Sequence, residues 1–220
     1  KYLEDKDQDL GLKYLKTAAE NRSYKPFFIT LSNDEENSKI KRSAGYYEPA
    51  VEAWGAKLYE NVEDDPDSAI QYFTKLANEK NVYGLIMCAT CINEGIIDEN
   101  EDESDNNGSD SKYRKYLKEA ADLGDSESQF LYARDKSIDE DESNYSEEVS
   151  RYYKLAADQG NIPAQIEYAQ RLEGGKGVKK NLDEAIRYCK QILLKDPNNG
   201  IVQIILQGII REKSQTDNNS

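Results

Sequence analysis

The segments KYLKEAADLGD (115 to 125) and RYYKLAADQGN (151 to 161) superimpose without a gap, 36 residues apart. The same spacing relates Tyr116, Tyr152 and Tyr188, then Lys118, Lys154 and Lys190, then Gly124 and Gly160. It carries into the next element, where Tyr132 and Ala133 match Tyr168 and Ala169. A repeat of this period constrains the fold more than any other feature. It marks a chain of stacked supersecondary units, each unable to bury its apolar face alone.

Each unit reads as two helices. In the second type, LDEAIRYCKQILL (182 to 194), Leu182, Ala185, Ile186, Cys189 and Leu193 form a 3.6-residue stripe. Asn181 stands at the N-cap, with Asp183 and Glu184 in the first turn. In the sister copy, Gly160 is placed to end the helix in a left-handed conformation. The first type, PAQIEYAQRL (163 to 172), opens on proline and sets Ala164, Tyr168, Ala169 and Leu172 on one face. Weaker copies precede these: SAIQYFTKLANEKN (68 to 81) and LGLKYLKTAAEN (10 to 21) as second helices, EPAVEAWGAKLYE (48 to 60) and VYGLIMCATCINEG (82 to 95) as first helices, and SKIKRSAGY (38 to 46) as a shortened one. The last helix, around 199 to 213, reads as a cap with apolar surface left over, and 214 to 220 as a disordered tail.

The run AADQGN, PAQIEYAQRLEGGKGVKKNLDEAIRYCK resembles the Sel1-like repeat family, whose unit has an Ala-rich first helix, a G-x-G-V loop and A-x-x-Y-Y-x-x-A-A-x-x-G. Gly175, Gly177 and Val178 fall on the loop motif, Asn181 replaces the usual Asp, and Ala185 and Tyr188 follow in place. Ile192 and Leu193 depart from the alanine pair. The likeness is strong over 145 to 195, good from 112 and weaker before that. Tetratricopeptide arrays are the nearest alternative, since ILLKDPNN (192 to 199) is typical of their unit ends. Either resemblance implies an all-α fold, an α/α superhelical solenoid used as a protein-binding scaffold. The expected organisation is one array over 1–213, with its clearest units at about 112–160 and 162–195.

Composition excludes several functions. The charge is −14 and the pI about 4.6, which argues against nucleic acid or an anionic membrane surface as partner. The most apolar segment, GIVQIILQGII (200 to 210), is too short to span a bilayer. Histidine is absent, removing the commonest general base and the usual metal ligand. No enzyme, metal or cofactor is expected. Sparse cysteine (Cys88, Cys91, Cys189) indicates a reducing, cytoplasmic setting, while four N-x-S sequons (Asn21, Asn107, Asn144, Asn218) keep the secretory pathway as the alternative. A start at Lys1 rather than methionine suggests a fragment or a processed piece.

Local motifs carry no chemistry of their own. GGKGVKK (174 to 180) lacks the G-x-x-x-x-G-K-[ST] spacing of a phosphate loop, and the repeat register makes it a linker between helices. DENEDESDNNGSDS (98 to 111) fails as a calcium loop, because the twelfth position falls on Arg114. It reads as an acidic, disordered insertion, open to acidophilic phosphorylation, and IDEDESNYSEE (138 to 148) reads the same way. Cys88-x-x-Cys91 sits in a helix as buried small residues.

The surface expected to bind lies on the groove side of the first helices: Glu52, Ile86, Thr90, Phe130, Arg134, Ile166 and Gln170. Phe130, Ile86 and Ile166 either form an apolar strip for a peptide or pack on a neighbouring helix. The acidic chain favours protein partners with basic or amphipathic segments. A non-enzymatic adaptor is the leading expectation. The alternatives are the regulatory or targeting arm of a larger enzyme and a structural subunit of an assembly.

Overall fold

A computed structural model describes residues 16, 48–60, 62, 64–97, 111–141 and 144–218. Among them are nine α-helices, one 3-10 turn and one isolated bridge, Asp141 to Asn144. The chain divides into two compact units, 1–75 and 76–220.

The first unit holds α1 (Glu48–Glu60) and most of α2 (Pro66–Asn78). Val51, Ala69 and Phe73 are fully buried. The Tyr72 hydroxyl donates to the Val51 carbonyl at 3.3 Å. The ammonium of Lys16, itself helical, lies 5.7 Å from the Trp54 ring centre.

The second unit is a stack of α3 (Val82–Asn93), α4 (Lys112–Asp122), α5 (Ser126–Lys136), α6 (Glu147–Asp158), α7 (Ile162–Gly174), α8 (Leu182–Lys195) and α9 (Gly200–Asn218). Each helix packs on the next along the chain. A single hydrophobic cluster runs through the stack from Ala89 to Ile209. This is the all-α solenoid that the repeat predicts. First-type helices (α3, α5, α7, α9) alternate with second-type ones (α4, α6, α8).

The turns after α2, α4 and α6 use the same bonds. Gly124 N–H reaches the Ala121 carbonyl at 3.0 Å while Asp125 N–H reaches Ala120 at 3.2 Å; Gly160 and Asn161 repeat this on Ala157 and Ala156 at 3.0 and 3.1 Å. These paired bonds close a helix with a left-handed residue, and φ is +100° at Gly124 and +91° at Gly160. Lys80 holds the same register at φ +59° without glycine's freedom. The residue after each turn caps the next helix: the side chains of Asn81, Asp125 and Asn161 accept from the N–H groups of Gly84, Ser128 and Ala164. Gly84 marks how closely the helices approach. A methyl group there would sit 2.4 Å from Leu76 Cβ.

Second-type helices are tied together by a ladder that the sequence predicts only as tyrosine spacing. Asp122 accepts from the Tyr152 hydroxyl and, at 2.9 Å, from Lys118. One unit on, Asp158 accepts from Tyr188 and Lys154, each at 2.5 Å. Burial opposes the charge on both carboxylates, but these hydrogen bonds outweigh it and hold them below the usual range. The tyrosine rings meet first-type tyrosines edge-on: Tyr152 against Tyr132 at 4.8 Å and Tyr188 against Tyr168 at 5.4 Å.

Two sequence expectations differ from the fold. The described residues of the run 138 to 148 are not a free acidic insertion. Ser137–Asp139 make a 3-10 turn, and Glu140 is buried in an ion pair with Arg171. Asp139 pairs with Arg114 at 2.7 Å and Glu148 with Lys136 at 3.1 Å. Helix α9 also includes residues 214 to 218, five of those assigned to a disordered tail. The helices expected at 10 to 21, apart from Lys16, and at 38 to 46 lie outside the described residues, as does the acidic run 98 to 110. Ser111, its last residue, caps α4 by accepting from the Arg114 N–H.

Candidate functional site

First-type helices spend their inward face on the core, so any recognition surface on them must face outward. On α5, the inward face is Ser128, Gln129, Phe130, Tyr132 and Ala133. The opposite side of the helix is Glu127, Leu131 and Arg134, at i, i+4 and i+7, and Ile138 follows in the 3-10 turn just beyond the helix. Glu127, Arg134 and Ile138 are exposed there and Leu131 is half-buried. On α7 the matching positions are Pro163, Glu167, Gln170 and Gly174, exposed except for the half-buried Glu167.

The residues picked from sequence fall on two lines of this register. Thr90, Arg134 and Gln170 line the outward side. Thr90 is half-buried and its hydroxyl donates to the Ile86 carbonyl at 2.9 Å, whereas Arg134 and Gln170 are exposed. On the other line, Ile86 is half-buried, and Phe130 and Ile166 turn toward the core. Phe130 is only 8% exposed, tilted against Tyr153 at 6.2 Å, with the Arg134 guanidinium 5.4 Å from its ring centre. Ile166 packs on the core cluster, and Val202, next in register, is fully buried. Glu52 is exposed on α1 of the first unit. Leu131 and Ile138 are not among the residues the sequence singles out, although a wheel drawn opposite Tyr132 and Ala133 finds Leu131.

The linker 174 to 180 is shaped by an electrostatic clamp. Arg171, on α7, forks onto Glu140 and donates to Ser150 Oγ at 3.1 Å; Ser150 in turn donates to the Lys176 carbonyl at 2.8 Å. The guanidinium also lies 5.1 Å from the Tyr153 ring centre. Gly175 caps α7 at φ +68°, and Gly177, at φ +60°, runs so close to α6 that an added methyl would fall 2.3 Å from the Ser146 carbonyl oxygen. The glycines serve backbone geometry, as the linker reading requires. Beside them Gln170, Glu173, Gly174, Lys176, Lys180 and Glu212 line a shallow polar depression. Burial, and then the charge of Glu212, push the Glu173 carboxyl up, but Lys180 is taken by its ion pair to Glu212.

Cys88 and Cys91 are buried on one face of α3, in the register of Tyr132 and Asp135, and Cys189 is buried on α8. Burial pushes the Cys91 and Cys189 thiols up to about 11, away from nucleophilic reactivity. No cluster of three metal-ligating side chains occurs among the described residues, nor is any helix there long and apolar enough to cross a membrane.

Stacked helical hairpins with equivalent outward faces define an α/α repeat protein. The Sel1 repeat model matches residues 3–23, 57–81, 114–125, 151–161 and 162–192, and the chain belongs to the Sel1 repeat family. Among solved structures it is similar to a Sel1 repeat protein from Oxalobacter formigenes, at TM-score 0.51 and 18% identity, covering 69% of this chain and 58% of that one. It is also similar to a protective antigen of uropathogenic Escherichia coli that displays an SLR fold, at TM-score 0.49 and 20% identity, covering 64% of this chain and 29% of that one. The chain therefore spans less than two thirds of either neighbour, and at 18% identity the likeness to the Oxalobacter protein is one of fold. No curated protein matches. Sel1 repeat proteins are generally non-catalytic and serve as protein-interaction scaffolds.

Proposed function

We propose that this protein is a non-catalytic adaptor whose first-type helices take a segment of a partner protein along their outward, concave side. The observation that carries this is the recurrence of Thr90, Arg134 and Gln170 at one register position, flanked by Leu131 and Ile138. Side chains on successive rigid helices offer evenly spaced contacts to one extended or helical segment. The net charge of −14 favours a partner segment with basic or amphipathic character, drawn in by long-range attraction. Three buried free thiols suit a reducing compartment.

Affinity purification with mass spectrometry identifies the partner, and its binding segment is then titrated as a peptide. Arg134→Glu combined with Leu131→Asp should weaken binding by about tenfold or more while the circular dichroism melt stays cooperative. Unchanged affinity in that double variant would count against this face. Phe130 is unsuited to the test, because Phe130→Asp would put an unpaired charge in the core.

A further inference from the structure

Helix α9 is seated by one face only. Val202 and Ile209 are fully buried beneath it. Its other face holds Ile201, Ile204, Gly208 and Arg211, at i, i+3, i+7 and i+10. The repeat register says what such a face does elsewhere. Ile204 stands where Tyr132 and Tyr168 receive the tyrosine of the following second-type helix. Ile201 stands where the Gln129 side chain accepts from Gln159 of that helix at 2.9 Å. On α8, Leu194 stands where Asp122 and Asp158 accept the tyrosine hydroxyl. The tyrosine and aspartate positions touch the next second-type helix in both units before, and the Gln129 position does so in one. Here they are apolar and open, with Leu194 at 83%, Ile201 at 67% and Ile204 at 72% exposure. They are among the most exposed large hydrophobic residues described.

We infer that this end face docks an amphipathic helix of another protein, laid where the next second-type helix of the stack would lie. Its apolar stripe packs on Leu194, Ile201 and Ile204, and carboxylates at its edge pair with Lys190 and Arg211. Lys190 keeps the ladder position of Lys118 and Lys154 but has Leu194 in place of their aspartate. Arg211 is exposed on the same side of α9 as Ile204. Both cations thus border the strip with no carboxylate pairing to them among the described residues.

The chemistry selects against the other occupants. A further repeat of this pattern would bring a tyrosine hydroxyl, which Leu194 cannot accept. A second copy buries Leu117, Tyr152 and Tyr188 of its own second-type helices. Its α9 face would offer cations to cations. An apolar helix with acidic flanks is the complement that remains. This surface is separate from the outward face proposed above, and neither reading depends on the other.

The test uses a fluorescent peptide of residues 182–195 carrying Tyr188→Leu, Cys189→Ala, Arg187→Glu and Lys195→Glu, which joins an apolar stripe to carboxylates near both ends. Anisotropy titration with the full chain should give saturable binding, weakened about tenfold by Ile204→Asp or by Leu194→Asp. Lys190→Glu should weaken it about threefold at low salt. Arg134→Glu should leave it unchanged. These side chains are exposed, so the melting curve of each variant should match the parent. The inference is overturned by a lack of saturation up to roughly 1 mM, or by affinity indifferent to Ile204→Asp. It is equally overturned if the peptide retaining Tyr188 binds more tightly, which would mark a further repeat as the occupant. A parent dimer that Ile204→Asp converts to monomer on analytical ultracentrifugation would assign the face to self-association.

Discussion

Gly175 and Gly177 lie two residues apart in one linker, both at positive φ, yet a side chain would meet different surroundings at each. At Gly175 the nearest atom to an added methyl is Lys180 Cβ at 3.5 Å, an ordinary contact. The cost there is the left-handed backbone alone, about 1 kcal/mol. At Gly177 the methyl would meet the Ser146 carbonyl oxygen at 2.3 Å and Ser150 Oγ at 2.8 Å. These atoms belong to the start of α6 and cannot move without disturbing its cap and the Ser150 bond to Lys176. Overpacking adds about 2 kcal/mol to the backbone term. Gly175→Ala should therefore destabilise by about 1 kcal/mol and Gly177→Ala by about 3 kcal/mol, read from urea midpoints at constant slope. Equal costs for the two would mean that the close approach is not a feature of the fold. The sequence made these glycines legible as a linker through their register. It could not separate them, because only the packed structure brings Ser146 to one and not the other.

Among the elements, the segment between α5 and α6 was the least legible. Glu140 sits in an acidic run, and composition alone makes such a run look solvated. Its partner, Arg171, lies 31 residues along the chain on another helix. The fold joins them in a site where their side chains are 6% and 8% exposed. No local rule predicts that pairing. The preceding unit solves the same join with the opposite charges: Arg114 on α4 reaches Asp135 on α5 at 2.6 Å, and Asp135 holds the register of Arg171. The helices themselves were legible, since each carries its own period, cap and stop. The outward surface was legible only in part. Phe130 shares its register with Ile86 and Ile166, but periodicity alone does not say which way an aromatic at the edge of the apolar arc faces; in the fold it lies against the Tyr153 ring. Removing one member of the buried pair should be costly. Arg171→Leu should lose about 3–5 kcal/mol, and adding Glu140→Leu should restore most of it, because the uncompensated charge is what destabilises. A double-mutant cycle by chemical denaturation measures this, and additive losses would refute the coupling.

Across the whole second unit, the repeat converts one set of contacts into a property that depends on pH. Tyr113, Tyr132, Tyr152, Tyr153, Tyr168 and Tyr188 all have hydroxyls held above the ordinary tyrosine range, with burial as the largest cause in each case. At Tyr152 and Tyr188 the hydrogen bonds to Asp122 and Asp158 add to it. A group whose folded pKa is raised stabilises the fold fully below its unfolded value, about 10 for tyrosine. That contribution disappears as pH rises through the folded values. Lys118, held up first by its hydrogen bond to Asp122, works in the same direction. The acid side has the opposite sign. Asp122 and Asp158 are depressed, so their contribution is present above about pH 4 and is lost as pH falls through their folded values. Both carboxylates are nearly half exposed, which weakens that limb through solvent screening. The melting temperature should therefore be nearly flat from about pH 5 to 9 and fall more steeply on the alkaline side. Tyr152→Phe with Tyr188→Phe should make the alkaline fall shallower, since two of the hydroxyls that would ionise are gone. Thermal melts followed by circular dichroism, with tyrosinate absorbance read in parallel, test both statements. A melting temperature that holds steady while the buried tyrosines ionise would refute the linkage.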